Sequence, residues 1–388
     1  MRPVYLDNNA STRVDHRVLA AMLPVLSESC GNPSSKHGAG MQAAAAVQKA
    51  RKQVQNLIGA KSDSEIVFTS GGTESDNLAI LSALDNRPGR DEIVVSAVEH
   101  PAVLALCAHL EKTRGITIHR IGVDTLGRID LQAFKEALCP RTAVACVMWA
   151  NNETGNVQPI AELVAMAQDE GALFFSDAVQ AAGRVPLDVV ATGIDFLSLS
   201  SHKFHGPKGT GALYVKQGLR VHSLVLGGRQ ERARRAGTEN VPGIVGMGEA
   251  AAIAASQLGM DATYQAGLLA RLKDGILGMI EGAMVLGDPG SRLPNTLCVA
   301  FEDLESDEIL TLLDREGIWV SSGSACSSGT QEPSHVLRAM RVPFEYLRGA
   351  LRLSLSRDTT SEDIDRVLAV LPVVVGKLHG ISVQRKVA

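Results

Sequence analysis

Between about residues 15 and 255 the chain alternates short, almost wholly apolar runs with helix-like stretches, and this alternation restricts its fold more than any other feature. The runs EIVFTS (65–70), EIVVSA (92–97), TAVACVMWA (142–150), ALFFSDA (172–178) and DFLSLSS (195–201) read as strands with no solvent face. Strands of that kind need cover on both sides, which predicts a mostly parallel sheet flanked by helices. Between them, ESDNLAILSAL (74–84) and PIAELVAMAQDEG (159–171) read as helices. The second has Pro159 near its start and Gly171 just past its end, as helix boundaries favour. Near residues 249–281 the pattern becomes one long helical stretch rich in Ala, Leu and Lys. A shorter mixed pattern follows: TLCVAF (296–301), a helix at 306–316, a Gly/Ser loop at 321–329, ALRLSLS (350–356) and a helix at 361–371. We therefore expect an α/β protein with a large domain at 15–255. A smaller domain would combine 1–14 with 256–388.

Composition narrows the function. The net charge of −4 supplies no basic field for nucleic acid or an anionic membrane surface. No apolar run approaches the ~20 residues that span a bilayer. The greasiest late stretch, Val367 to Val375, is limited by Pro372 and Lys377. The start MRPVYLDNN lacks a basic segment leading into an apolar one, so a cytoplasmic location is expected. The six cysteines (Cys30, Cys107, Cys139, Cys146, Cys298 and Cys326) form no CxxC pair, which argues against a zinc site or a disulfide framework.

Ligands of parallel α/β sheets bind beyond the carboxyl ends of the strands, and four groups of polar residues occupy such ends here. Ser70-Gly71-Gly72-Thr73-Glu74 opens a helix, where glycine allows close approach and free N–H groups favour an anion. Alone, such a start is more often a turn with a cap. Asp177 closes ALFF, where a carboxylate is costly unless it meets a cation such as a pyridinium nitrogen, or serves as an N-cap. In Ser200-Ser201-His202-Lys203-Phe204-His205-Gly206-Pro207, Lys203 sits between a strand end and a Gly/Pro turn. Cationic neighbours or desolvation there would free its amine for a Schiff base, with Ser200 and His202 adding phosphate contacts. His100, in SAVEHP, can stack on a flat ring and move protons near neutral pH. Each has an ordinary explanation by itself. Together they describe a phosphate cradle, a ring-nitrogen carboxylate, a stacking imidazole and a Schiff-base lysine.

At these residues the chain resembles the cysteine desulfurases, members of the aspartate-aminotransferase-like fold type I group of pyridoxal 5'-phosphate enzymes. The resemblance runs from LDNNA to about Leu371, through EHPAV, MWANNETG, SDAVQ, SSHKFHGPKG, RRAGTEN and SSGSACSSG. LDNNAST, VMWANNETG and HKFHGPKG are similar to the NifS form dedicated to nitrogenase, whereas GGTESDNLAI is more like the housekeeping IscS form. The resemblance implies a large domain with a mostly parallel seven-stranded sheet and a smaller α+β C-terminal domain. It also implies roles. Lys203 would carry the internal aldimine, Asp177 would pair with the ring nitrogen, and Gln180 and Asn152 would bond the ring oxygen. Gly72, Thr73, Ser200 and His202 would hold the phosphate, with Thr238 reaching in from the partner of a homodimer. His100 would stack on the ring and transfer protons, and Arg352 would clamp the carboxylate of L-cysteine. Asn152 and Asn32 would border the substrate.

Cys326 lies in SSGSACSSG, a Gly/Ser-rich run that reads as a flexible arm able to take sulfur inside a pocket and deliver it outside. The implied reaction leaves alanine and a persulfide on Cys326, with an iron–sulfur scaffold protein as sulfur acceptor. Cys326 could also ligate a transient iron–sulfur cluster, although stable clusters want four ligands. Three other readings share parts of this pattern: a selenocysteine lyase, an aminotransferase, and a sulfur carrier without turnover.

Overall fold

The computed structural model describes residues 2–322 and 333–387, with side chains described to residue 380. Cys326 and its Gly/Ser neighbours from 323 onward lie outside the described residues. In chain order the strands are β1 (Val4–Tyr5), β2 (Ile66–Thr69), β3 (Glu92–Ser96), β4 (Thr117–Ile121), β5 (Thr142–Cys146), β6 (Leu173–Asp177) and β7 (Phe196–Ser200). They continue with β8 (Gly211–Val215), β9 (Ala283–Leu286), β10 (Thr296–Phe301), β11 (Ile318–Trp319), β12 (Ser321–Ser322) and β13 (Ala350–Ser354).

The expected mostly parallel sheet is present, with strand order β2-β8-β7-β6-β5-β3-β4. Only β8 runs antiparallel, against both β7 and β2. The carboxyl ends of β2, β3, β5, β6 and β7 therefore share one edge. Every residue of β2, β3, β5, β6, β7 and β8 is buried, which accounts for the unbroken apolar runs. The sequence reading did not assign β4 or β8. In β4, TIHRI is exposed or half-buried at three positions, as an edge strand permits, and carries too little apolar signal. In β8, GALYV follows directly on a Gly/Pro-rich turn, which obscures its start.

One core lies between the sheet and the helices Gly38–Leu57, Ile160–Asp169 and the first part of Val241–Met279, and another lies on the opposite face, under Gly72–Asn86 and Pro101–Arg114. The helix Val241–Met279 starts earlier than expected, capped by the Asn240 side chain with Pro242 in its first turn. It also contributes Leu268, Leu269, Leu272 and Ile276 to a third core around the antiparallel sheet β12-β13-β10-β9. The last helix runs Ser361–Val387, well past the expected end at 371. Among the described residues, no helix is long and apolar enough to cross a membrane.

The N-terminal segment straps these parts together. Its β1 pairs with β11, the Asn8 N–H donates to the Ser354 carbonyl at 3.2 Å, and the Thr12 N–H donates to the His202 carbonyl at 2.9 Å. Residues 7–12 thus pass between the smaller sheet and the turn that carries Lys203.

Candidate active site

A cavity of about 260 Å³ opens on the shared carboxyl edge of the large sheet. Ten of the expected residues line it: Gly72, Thr73, His100, Asn152, Asp177, Gln180, Ser200, His202, Lys203 and Arg352. Asn9, Ala10, Asp76, Met148 and Val179 complete the wall and were not singled out in the sequence. Two expected residues stand elsewhere in the single chain. Thr238 is exposed and borders a separate cavity of about 80 Å³ with Ser70 and Thr210, and Asn32 is exposed, its Oδ1 accepting from the Ser34 N–H at 2.9 Å.

One end of the cavity begins where β2 runs into the helix Gly72–Asn86. No side chain caps that helix, so its first amides are left to whatever fills the cavity. A Cβ on Gly72 would stand 2.9 Å from Val179 Cγ2 and 3.7 Å from Ser200 Cβ, so a side chain there would crowd the cradle. Across it lies His202, whose Nδ1 is 3.2 Å from Ser11 Oγ. Burial, helped by the nearby charges of Lys203, Lys208 and Arg184, holds the His202 imidazole down at about 4. A neutral ring there is a hydrogen-bond donor to an anion rather than a counter-charge.

At the other end Asp177 closes β6, with Oδ1 accepting from the Val179 N–H at 2.9 Å. Burial raises this carboxyl, opposed by His100, the Val179 amide and Lys203. A buried carboxylate facing into a cavity suits a cationic ring atom. His100 caps the helix Pro101–Arg114, its Nδ1 accepting from the Ala102 N–H at 3.2 Å, so the neutral ring carries its hydrogen on Nε2. Burial lowers His100, against the pull of Asp177. The ligand-capable atoms of Asp76, His100 and Asp177 all lie within 4.8 Å of one another.

Lys203 follows β7 in a single helical turn, Ser201–Lys203. Its Nζ donates to the carbonyls of Asn9 at 2.7 Å and Ala10 at 2.9 Å, both on the N-terminal strap. Gln180 is held by the same strap: its Nε2 donates to the Asn9 carbonyl at 3.0 Å, and its Oε1 accepts from Arg184. Arg352, in the middle of β13, is 2% exposed. Its Nη2 donates to Asp7 Oδ1 at 2.7 Å and its Nη1 to the Asn152 carbonyl at 3.1 Å, while Nε is buried with no partner among the described residues. Such a guanidinium can exchange an internal carboxylate for that of a ligand.

These donors fit pyridoxal phosphate. Helix amides, two hydroxyls and a neutral imidazole converge at the phosphate end, a buried carboxylate faces the ring-nitrogen end, and an amine lies between them. The strap contribution had no local signal, because Asn9 and Lys203 are far apart in sequence and meet only through the fold.

The family model for aminotransferase class-V matches residues 4–367. A cysteine desulfurase from Gluconacetobacter diazotrophicus is 56% identical over 382 residues, covering 98% of this chain and 96% of the relative. The cysteine desulfurase NifS of Azotobacter vinelandii is 51% identical, covering 98% and 95% respectively. A solved NifS-like protein superposes with a TM-score of 0.91 at 36% identity, covering 97% of this chain and 100% of its own. A structure of SspA in complex with cysteine gives a TM-score of 0.80 at 33% identity, covering 92% and 99%. By sequence and by fold the chain belongs to the class-V aminotransferase family, on its cysteine desulfurase branch, whose members depend on pyridoxal phosphate.

Proposed function

We propose that this protein removes sulfur from L-cysteine, leaving alanine and a persulfide on Cys326, and passes the sulfur to an iron–sulfur scaffold protein for cluster assembly, that of nitrogenase included. The observation that carries the reading is the meeting of Lys203, Asp177, His100 and Arg352 around one cavity beside an uncapped helix start. Pyridoxal phosphate, when bound, supplies a sink for the electrons released as cysteine loses its α-proton.

The chain's own residues do the rest. Gly72 and Thr73 amides, with Ser200 and His202, bind the phosphate. Asp177 keeps the ring nitrogen protonated, and Gln180 and Asn152 orient the ring oxygen. Arg352 turns from Asp7 to the substrate carboxylate, aligning the α-carbon. Lys203 Nζ would hold the cofactor and would serve as the base for the α-proton. His100, in the cavity wall, would stack on the ring and hold a proton for the departing product. The Cys326 thiolate attacks the substrate sulfur: an S–S bond forms, the C–S bond breaks, and its electron pair is protonated on carbon. In sum, cysteine and the Cys326 thiol give alanine and the Cys326 persulfide. The same reading includes a cytoplasmic homodimer in which Thr238 serves the partner's phosphate, Asn32 at the substrate mouth, a division into domains near residue 255, and brief ligation of a nascent cluster by Cys326.

The test is mass spectrometry of the purified protein after L-cysteine is added, in search of one extra sulfur on the peptide containing Cys326. Cys326→Ala is expected to bind cofactor and make no alanine. Robust alanine production by that variant would defeat the assigned nucleophile. Cluster formation on an apo-scaffold with iron and cysteine, dependent on Cys326, tests the sulfur acceptor.

A further inference from the structure

Asp76 lines the cavity, yet none of the steps above uses it. It sits one turn into the helix Gly72–Asn86 and is 1% exposed. Its Oδ1 accepts from Ser198 Oγ at 2.6 Å, and Ser198 on β7 is the register partner of Asp177 on β6. Two carboxyl groups therefore occupy one buried space, their oxygens within 4.8 Å. Like charges so close cannot both be ionised cheaply in a low-dielectric site, so one of them keeps a proton.

Their surroundings decide which. Asp177 accepts a backbone N–H, and His100 and Lys203 beside it both favour its ionised form. Asp76 has one hydroxyl donor, while Asp177 and Glu99 face it as like charges, with Cys146 beneath on β5 and His100 beside it. Burial and those like charges both push the Asp76 carboxyl up.

We propose that Asp76 is a positioning residue for the ring-binding carboxylate, a neutral acid that leaves Asp177 to carry the single negative charge facing the ring nitrogen. The proposal rests on the assignment of Asp177 to that nitrogen. With one charge, Asp177 matches one pyridinium. A second would over-stabilise the protonated ring, shift its titration and oppose anionic substrate. The Ser198 hydrogen bond holds the Asp76 carboxyl in place beside Asp177.

The experiment is infrared difference spectroscopy of cofactor-loaded protein labelled with [4-13C]aspartate, at neutral pH, on wild type, Asp76→Asn, Asp177→Asn and Ser198→Ala. A protonated-carboxyl band in the wild type that is absent from Asp76→Asn and shifted in Ser198→Ala is the expected result; in Asp177→Asn, where the like charge is gone, the band should weaken. The ring's own absorption gives a second readout. Asp76→Asn exchanges one neutral group for another, so the ring's titration midpoint should correspond to a proton affinity within about twofold of wild type. Removing a charged neighbour would change it tenfold or more. A missing band, a band that survives Asp76→Asn, or a tenfold change in that variant would overturn the proposal. Should Asp177→Asn load and protonate cofactor like wild type, the assignment of Asp177 fails and the proposal with it. Should Asp177→Asn lose ring protonation while Asp76→Asn leaves the band in place, the proposal fails alone.

Discussion

The phosphate cradle makes a quantitative demand on Gly72. An alanine Cβ there would meet Val179 Cγ2 at 2.9 Å, against an optimal carbon–carbon separation of about 3.5–4.0 Å. Gly72 is the first residue of its helix and does not have a left-handed φ, so alanine is not strained by its torsions. The overlap must be relieved by moving Val179 or the helix start. Under the proposed function each is costly once cofactor is bound, because the Val179 N–H holds Asp177 at 2.9 Å and the helix start would offer its amides to the phosphate. Overpacking of this size costs about 1–3 kcal/mol. If the empty protein relaxes and the loaded protein cannot, cofactor binds about 5–150-fold more weakly in Gly72→Ala. Equilibrium dialysis of cofactor against wild type, Gly72→Ala, Val179→Ala and the double variant measures it. Val179→Ala removes the clashing methyl group, so the double variant should recover most of the lost affinity, a coupling that a double-mutant cycle isolates. Wild-type affinity in Gly72→Ala, or a double variant no tighter than Gly72→Ala, would refute the steric argument.

Three further outcomes are expected. Lys203→Ala should release all cofactor on gel filtration, whereas wild type retains it; retention with an unchanged visible spectrum in the variant would count against Lys203 as the point of attachment. The buried pair of Arg51 and Glu231, at 2.6 Å with side chains 8% and 3% exposed, underlies a left-handed turn at Glu231, Arg232 and Ala233. Arg51→Met should cost about 3–5 kcal/mol in urea unfolding by stranding the carboxylate, and Glu231→Gln added to it should restore part; equal stabilities of the two variants would sink this. Glu153, fully buried and accepting from Ser334 Oγ at 2.5 Å, is pushed up to about 7 by burial, against that hydrogen bond and Arg352. Its folded value lies above the unfolded one, so the native state binds the extra proton, and stability from this group declines as pH rises from about 4.5 to about 7. Glu153→Gln should flatten that decline, and an unchanged slope between those pH values would exclude it.

Much of the fold was legible because buried parallel strands leave apolar runs and because the sheet's carboxyl edge gathers polar residues at strand ends. Asp177, Ser200 and His100 each follow such a run, so their convergence could be read without coordinates. What escaped was non-local or locally ambiguous. Asn9 and Ala10 enter the site through the strap, and Asp7 meets Arg352 across nearly the whole chain. Asp76 read as an acidic residue early in a helix, a place where solvent-facing carboxylates are common. Its inward direction depends on a helix buried on most of its surface, which periodicity alone does not distinguish.

The contact between Asp7 and Arg352, 2.7 Å long in this structure, has a consequence for selectivity. A tethered carboxylate competes at high effective concentration, so small free anions such as acetate meet a guanidinium that is already engaged. Only a molecule that adds other attachments at the same moment can displace the tether. Under the proposed chemistry an amino acid qualifies, since its nitrogen can join the cofactor while its acid group takes the arginine. The protein would thereby trade some affinity for its proper guest against immunity to the commonest impostors in its surroundings.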